Sequence, residues 1–276
     1  MLRIIHNTMA LAIAATIFAS AASAGPIGYA VNSNATDNLF RIDLATGIAT
    51  DLGLISFDDA EGISFGPDGL LYAIGGTTNQ LWDITTPPGS LVGATGTRVG
   101  IDAGLGMDPI TGRMFNLNSN SGISGLYQVN ISTGATTEIG SGDQYGDNIA
   151  ISMAGVAYAI DGIFTDSLYR VDLSTGAFTL VGDLGLGDIS NLFGSSFDPL
   201  TGILWALNNS GQIFNINTTT GIATQIATVT LNTIPVTGFE GLAIEMAPVP
   251  EPASMALMIS GLGITLAARR RNRRSR

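Results

Sequence analysis

The chain has 276 residues, 45% of them apolar and only 12% charged, with 36 Gly, 10 Pro and a formal net charge of −11, a composition that describes a turn-rich folded protein and excludes a disordered one. All 11 basic residues are Arg, there is no Lys and no Cys, and the single His is His6. The body of the chain therefore cannot build a thiol nucleophile, a disulfide framework, a His-based triad or a zinc site of the usual nitrogen and sulfur kind.

Residues 1–24 run from a short segment with Arg3, through the apolar stretch ALAIAATIFA (10–19), to Ala22, Ser23 and Ala24. That is the pattern of a secretory signal peptide cut after Ala24. An uncleaved anchor is the competing reading, but the apolar run is short for a span of roughly 20 residues.

From residue 25 onward the strongest signal is internal repetition. LFRIDLATGIATDLG (39–53), LYQVNISTGATTEIG (126–140), LYRVDLSTGAFTLVG (168–182) and IFNINTTTGIATQIA (213–227) are copies of one hairpin, and LWDITTPPGSLVG (81–93) is a weaker one. Their turn glycines, Gly47, Gly89, Gly134, Gly176 and Gly221, are spaced 42, 45, 42 and 45 residues apart. A three-residue hairpin loop needs a left-handed residue at its last position, which Gly adopts without a Cβ clash. A second motif precedes each hairpin: GISFGPDGLLYAI (62–74), GLGMDPITGRMFNL (104–117), NIAISMAGVAYAI (148–160) and GSSFDPLTGILWAL (194–207). GPDG, DPITG and DPLTG carry type I turn chemistry. Each unit is thus four short antiparallel strands, A to D, recurring at about 43 residues, which is what a propeller blade requires.

The aromatic residues agree with this register. Tyr29, Tyr72, Phe115, Tyr158 and Trp205 fall on strand B, and Phe40, Trp82, Tyr127, Tyr169 and Phe214 on strand C. The other face of strand B carries Ala30, Ala73, Asn116, Ala159 and Ala206, an alternation of large and small suited to blades packed face to face. These aromatics read as core, not as a sugar platform. IGYAVN (27–32) is a strand B without its A, and GFEGLAIE (238–245) is a strand A without its B. Joined, they complete a blade with one strand from the C-terminal side and three from the N-terminal side, which removes open sheet edges. The prediction is an all-β, five-bladed β-propeller of four-stranded antiparallel blades over residues 25–246, with circular strand closure; a β-helix or sandwich is the competing fold. In its general shape, LYxVDxxTG followed by a Gly-bounded strand, the repeat resembles secreted bacterial propellers of the WD40-like and lactonase-like kind. The resemblance implies fold and not activity.

The last segment, 247–276, has three parts. A Pro-Glu-Pro cluster is followed by an uncharged stretch from Ala253 to Ala268 and by six Arg in the last eight residues. As a helix the stretch reaches about 24 Å at 1.5 Å per residue, against a hydrocarbon core of roughly 30 Å, so it spans only with bilayer thinning or help from its flanks. The Arg cluster would hold the extreme C-terminus in the cytoplasm; with an apolar segment directly before it, a nucleic-acid tail is disfavoured. With Val249, Pro250, Glu251 and Pro252 at its head, this tail resembles the PEP-CTERM sorting signal of Gram-negative bacteria. The resemblance implies export through the inner membrane and transient anchoring by segment 253–268. It also implies processing by exosortase near the motif, and delivery to the cell envelope or the extracellular matrix, where exopolysaccharide is a potential partner.

Without its ends the chain keeps 21 of the 22 acids and 4 of the 11 Arg, a net charge of about −17. Such a surface disfavours nucleic acid and suits cations, neutral sugars or basic partners. Most of the acids fall in the D-to-A and B-to-C connections, which share one face of a propeller. Glu61, Asp147 and Glu240 align at one repeat position beside the channel, with Asp102 one place away, and Phe57, Tyr145, Phe193 and Phe239 fall in the same loops. Four readings stay open: a rim for a hard cation such as Ca²⁺, a carbohydrate-binding surface, a pair of carboxyls roughly 5–10 Å apart acting as acid and base on a glycoside, and a solvated scaffold face. The expected function is a non-catalytic binding or structural component; a glycoside-active enzyme on the acidic face is the alternative.

Overall fold

The computed structural model describes residues 25–33, 37–96, 102–120, 123–146, 148–187 and 190–245. The signal peptide and the sorting segment read from the sequence lie outside the described residues, as does Asp147. Among the described residues no helix is long and apolar enough to cross a membrane.

The regular structure is all β. Strands β1 (Ile27–Asn32), β2 (Asn38–Asp43) and β3 (Ala49–Leu54) come first. They are followed by β4 (Ala60–Phe65), β5 (Leu71–Gly75), β6 (Gln80–Asp83) and β7 (Ser90–Ala94). The third group is β8 (Asp102–Met107), β9 (Met114–Asn120), β10 (Ile123–Val129) and β11 (Thr136–Ser141). The fourth is β12 (Asn148–Ile151), β13 (Ala157–Asp161), β14 (Ser167–Val171) and β15 (Phe178–Asp183). The fifth is β16 (Leu192–Phe197), β17 (Leu204–Asn208), β18 (Gln212–Ile216) and β19 (Ala223–Thr228). A short hairpin, β20 (Thr230–Leu231) and β21 (Ile234–Pro235), precedes β22 (Phe239–Ile244). Each later group is one antiparallel sheet in chain order, while the first is completed by β22 in the order β22-β1-β2-β3. The innermost strands β22, β4, β8, β12 and β16 touch one another in a closed ring. The architecture is therefore a five-bladed β-propeller, closed by the strand clasp that the sequence predicts.

The repeated motifs act locally. In the C-to-D turns the N–H of Gly47, Gly134, Gly176 and Gly221 donates to the carbonyl four residues back, on Asp43, Asn130, Asp172 and Asn217, at 2.7–2.8 Å. Those same Asp and Asn side chains accept the N–H two residues on. A carboxylate or amide at the start and Gly at the end together fix the turn. The core lies between blades: each of five apolar clusters joins two neighbouring sheets, as where Phe40 and Ile42 of blade 1 meet Trp205 and Ile213 of blade 5. Around the axis the inner strands approach backbone to backbone. A Cβ added to Gly62, Gly104, Gly194 or Gly241 would stand 2.2–2.7 Å from the main chain of the next inner strand. At the corresponding place in blade 4, Asn148 bridges the gap instead, its Nδ2 donating to the Leu192 carbonyl at 2.8 Å and its Oδ1 accepting the Ser195 hydroxyl.

Hairpin β20–β21 has no counterpart in the repeats read from the sequence, so the described residues form twenty blade strands and two more. The hairpin straps the closure: the Thr230 N–H donates to the Gly47 carbonyl at 2.8 Å, and Ile48 and Thr230 form a parallel bridge between the last blade and the first. Its turn, Asn232 and Thr233, has positive φ at both residues without a glycine, and its two-residue strands carry no repeat pattern. That is why pattern reading passes over it.

Candidate functional site

The acid-rich face is organised by one residue in each B-to-C loop, two places before the buried aliphatic of strand C: Asp37, Asn79, Ser124, Asp166 and Gly211. The main-chain carbonyl of each accepts an N–H from the far end of the same blade, donated by Ile55, Thr95, Gly142, Leu184 and Val229 at 2.8–3.0 Å. Where there is a polar side chain, three of the four reach on toward the segment entering the next blade. The buried Asp37 carboxylate accepts the N–H groups of Asp59 and Ala60. The Ser124 hydroxyl accepts the Gly146 N–H at 2.8 Å and donates to the Gly146 carbonyl at 3.1 Å. Asp166 faces Ser190 in the loop before β16. Burial pushes Asp37 up to about 6, against the pull of its two N–H donors and reinforced by the charges of Asp58 and Asp59. Burial also raises Asp166. Several acids of this face thus hold loops together. Asp161 is the fullest case, buried and accepting the N–H groups of Ile163, Phe164 and Thr165 together with the Thr165 hydroxyl.

At the channel mouth the shared repeat position has a backbone cause. Glu61, Phe193 and Glu240 are each the extra residue of a β-bulge between strands A and B. A bulge re-aims its side chain and frees it from the pairing demands of the sheet. In blade 3 the pairing is regular and the residue is Ala103, packed in the core. Glu240 and Glu61 sit on adjacent inner strands, since the space beside Gly241 is filled by the Glu61 carbonyl. Glu240 Oε1 accepts the Ser33 hydroxyl at 3.1 Å and Asn209 Nδ2 at 3.0 Å. It thereby ties the B-to-C loops of the first and last blades. Glu61 is buried. Asp102 begins β8, but its side chain lies outside what the structure describes.

The aromatic residues divide. Phe57 is buried and stacked on Trp82 with ring centroids 4.9 Å apart, and Phe239 is fully buried against Phe40. Both rings pack in the core; an aromatic in a short loop can turn inward as readily as outward, and loop position alone does not decide. Phe193 is half-buried at its bulge. Tyr145 is buried edge-on to Phe164, which is 67% exposed and is the open aromatic of this face. Ser33, Asn209 and Asn148 were missed as site or latch residues. No local signal pairs Asn209 with Glu240, but Asn148 aligns with the glycines of the inner belt, and that substitution is visible in the sequence. Among the described residues no three carboxylates come together as a metal site. What the rim offers chemically is a set of hydrogen-bond acceptors, the Asn209 amide and an exposed ring, groups suited to hydroxyl-rich ligands. At the other end of the channel, a cavity of about 60 Å³ is bounded mainly by apolar residues such as Ile63, Leu105 and Leu242.

The PEP-CTERM protein-sorting motif matches residues 248–274. No curated protein matches the chain in sequence. Among solved structures, one of a nidogen/laminin complex is similar with a TM-score of 0.50 and 12% identity, over 77% of this chain and 80% of that one. A virginiamycin B lyase from Staphylococcus aureus aligns with a TM-score of 0.45 and 14% identity, over 73% and 69% of the two chains. Regucalcin from Agrobacterium tumefaciens, described as a calcium-binding protein, aligns at 0.43 and 18%, over 75% and 76%. At 12% identity the first of these likenesses speaks for fold alone. The chain therefore carries the recognition signal for exosortase behind a five-bladed propeller, and that signal implies an exported protein with a C-terminal anchor that exosortase processes.

Proposed function

We propose that the propeller is a non-catalytic binding or structural component of the cell envelope or extracellular matrix, and that its acid-rich face takes a hydroxyl-rich ligand, with extracellular polysaccharide as the class. The observation that carries this reading is the pair of bulges that places Glu61 and Glu240 on adjacent inner strands at the channel mouth, where fold geometry requires no acid. Asn209, Phe193 and the exposed Phe164 supplement them. Asp102 and Asp147 belong to the same proposed rim by repeat alignment. Ca²⁺ is a second ligand for the same carboxylates, by the hard-oxygen chemistry such a cation selects. The glycoside-active alternative uses the same groups as acid and base.

The test is retention of the full-length protein on polysaccharide from the producing organism, with the sugar products assayed in parallel. Retention without new reducing ends, lost in the double variant Glu61→Gln, Glu240→Gln, supports binding. New reducing ends, also lost in that variant, would favour the enzyme. Equal behaviour of both proteins would reduce the rim to a solvated surface.

A further inference from the structure

The face opposite the acidic rim is built from the A-to-B turns, residues 66–70, 108–113, 152–156 and 198–203. The outermost side chains of such turns are ordinarily polar. Here Ile110, Met153 and Leu200 are 64%, 50% and 72% exposed, in three successive blades, and Leu70 joins them from a fourth. The turns of blades 2, 3 and 4 touch in sequence, with Gly112 beside Pro67 and Ile110 beside Gly155. Met153 itself, with Pro109 and Pro199 from the neighbouring turns, lines the cavity at this end of the channel, beside Phe65, Met107, Ile151 and Ile244.

The charges of this face are arranged accordingly. Asp68, Asp108 and Asp198 point into their own turns. Asp108 accepts the Ile110 N–H at 3.0 Å and the Thr111 hydroxyl, Asp198 the Leu200 N–H at 3.0 Å and the Thr201 hydroxyl, and Asp68 the Leu70 N–H at 3.2 Å and the Tyr72 hydroxyl at 2.8 Å. Arg113 is exposed beside them. The C-to-D turns share this face, and their Asp43, Asp83 and Asp172 likewise accept N–H groups of their own turns, so apolar tips stand at this end of the axis among acids already engaged by the backbone. The chain also leaves at the apolar end: Ile244 lines the cavity and Glu245 is the next residue. Eight residues further on, at Ala253, the uncharged segment begins. Even fully extended, eight residues reach no more than about 29 Å.

We infer that the A-to-B turn face is a membrane-seating surface: Ile110, Met153 and Leu200 enter the interfacial layer of a phospholipid bilayer while the chain is still held by its tail. The inference rests on segment 253–268 being inserted in that bilayer. The short tether brings this face to the membrane, apolar tips gain by leaving water, Arg113 meets lipid phosphate, and the acidic rim is turned away from anionic headgroups.

The absence of Cys makes the test clean. Single-cysteine forms of the full chain, Ile110→Cys and Leu200→Cys on this face and Asp58→Cys and Phe164→Cys on the other, carry an environment-sensitive fluorophore. They are reconstituted with phosphatidylcholine vesicles with and without phosphatidylglycerol, and co-flotation is measured first. The expected result is flotation of all four, with a blue shift and severalfold brighter emission at 110 and 200 only. Flotation with unshifted emission at 110 and 200, or with equal shifts on both faces, would overturn the seating inference and leave the anchor intact. Failure to float would overturn the anchor, and the inference with it.

Discussion

Asp37 is the most exacting test of the way the loops of the acidic face are held. Replacing it with Asn removes a charge and keeps an oxygen for the N–H groups of Asp59 and Ala60; the next blade already carries Asn at this position, Asn79. In the folded protein Asp37 titrates at about 6, against 3.8 in the unfolded chain, chiefly because burial disfavours its charge. Between these values the folded state holds more protons than the unfolded one. The contribution of Asp37 to stability is therefore fully present below about pH 4 and is lost as pH rises through 6. At 1.36 kcal/mol per pH unit the full difference is about 3 kcal/mol. Water reaching the loop mouth screens part of it, leaving about 1–2 kcal/mol. Asp37→Asn should therefore gain about 1–2 kcal/mol over the wild type between pH 4 and pH 8, or about 2–8 °C in Tm for a domain of this size. Paired thermal melts across that range measure the difference, in which all other carboxylates cancel. Asp172, whose carboxylate is stabilised by Ser174 and held below the ordinary range, should behave in the opposite sense, its Asn variant losing stability above pH 4. A gap between Asp37→Asn and wild type that does not change with pH would refute the argument.

Truncation at Thr237 removes β22, and with it the burial of Phe239, Leu242 and Ile244. At about 1.5–3 kcal/mol each, the loss is about 5–9 kcal/mol, comparable with the whole stability of a domain, so cooperative melting should disappear, whereas truncation after Glu245 should preserve it. Asn148→Ala leaves the Leu192 carbonyl and the Ser195 hydroxyl without their partner and should cost about 2–4 kcal/mol in denaturant melts; a loss below about 0.5 kcal/mol would mean that the latch between blades 4 and 5 contributes nothing. Gly104→Ala drives a Cβ to within 2.4 Å of the Asn148 Cα and should destabilise by about 1–3 kcal/mol or more by the same assay; an unchanged midpoint would show that the inner belt has room to spare.

The ring was legible because its causes are local and repeated. Turn glycines, strand B aromatics and the orphan strands at 27–32 and 238–245 each recur or complement one another at a fixed period, and the observed strand order follows from them. The rim was legible only as a set of positions. Alignment brought Glu61 and Glu240 to one level, but the bulges that aim them depend on pairing between strands, which composition does not reveal. Phe57 and Phe239 show the same limit, since both occupy loop or strand-edge positions and both turn into the core. The acids were read as surface charge, yet Asp37 and Asp161 are buried and serve the backbone, a role set by which N–H groups the fold leaves nearby. Hairpin β20–β21 lacks any repeat and emerges only from tertiary contact with Gly47 and Ile48.

Export of this propeller and its processing by exosortase can be read from the intact mass of the protein recovered from the envelope or medium of the producing cells, compared with that from cells lacking exosortase. The expected mature chain runs from near Gly25 to near Pro250, without Arg269 and the residues after it, and the whole C-terminal segment should stay in the membrane when exosortase is absent. Recovery of the intact Arg-rich tail from envelope or medium, or identical products from both strains, would contradict that processing.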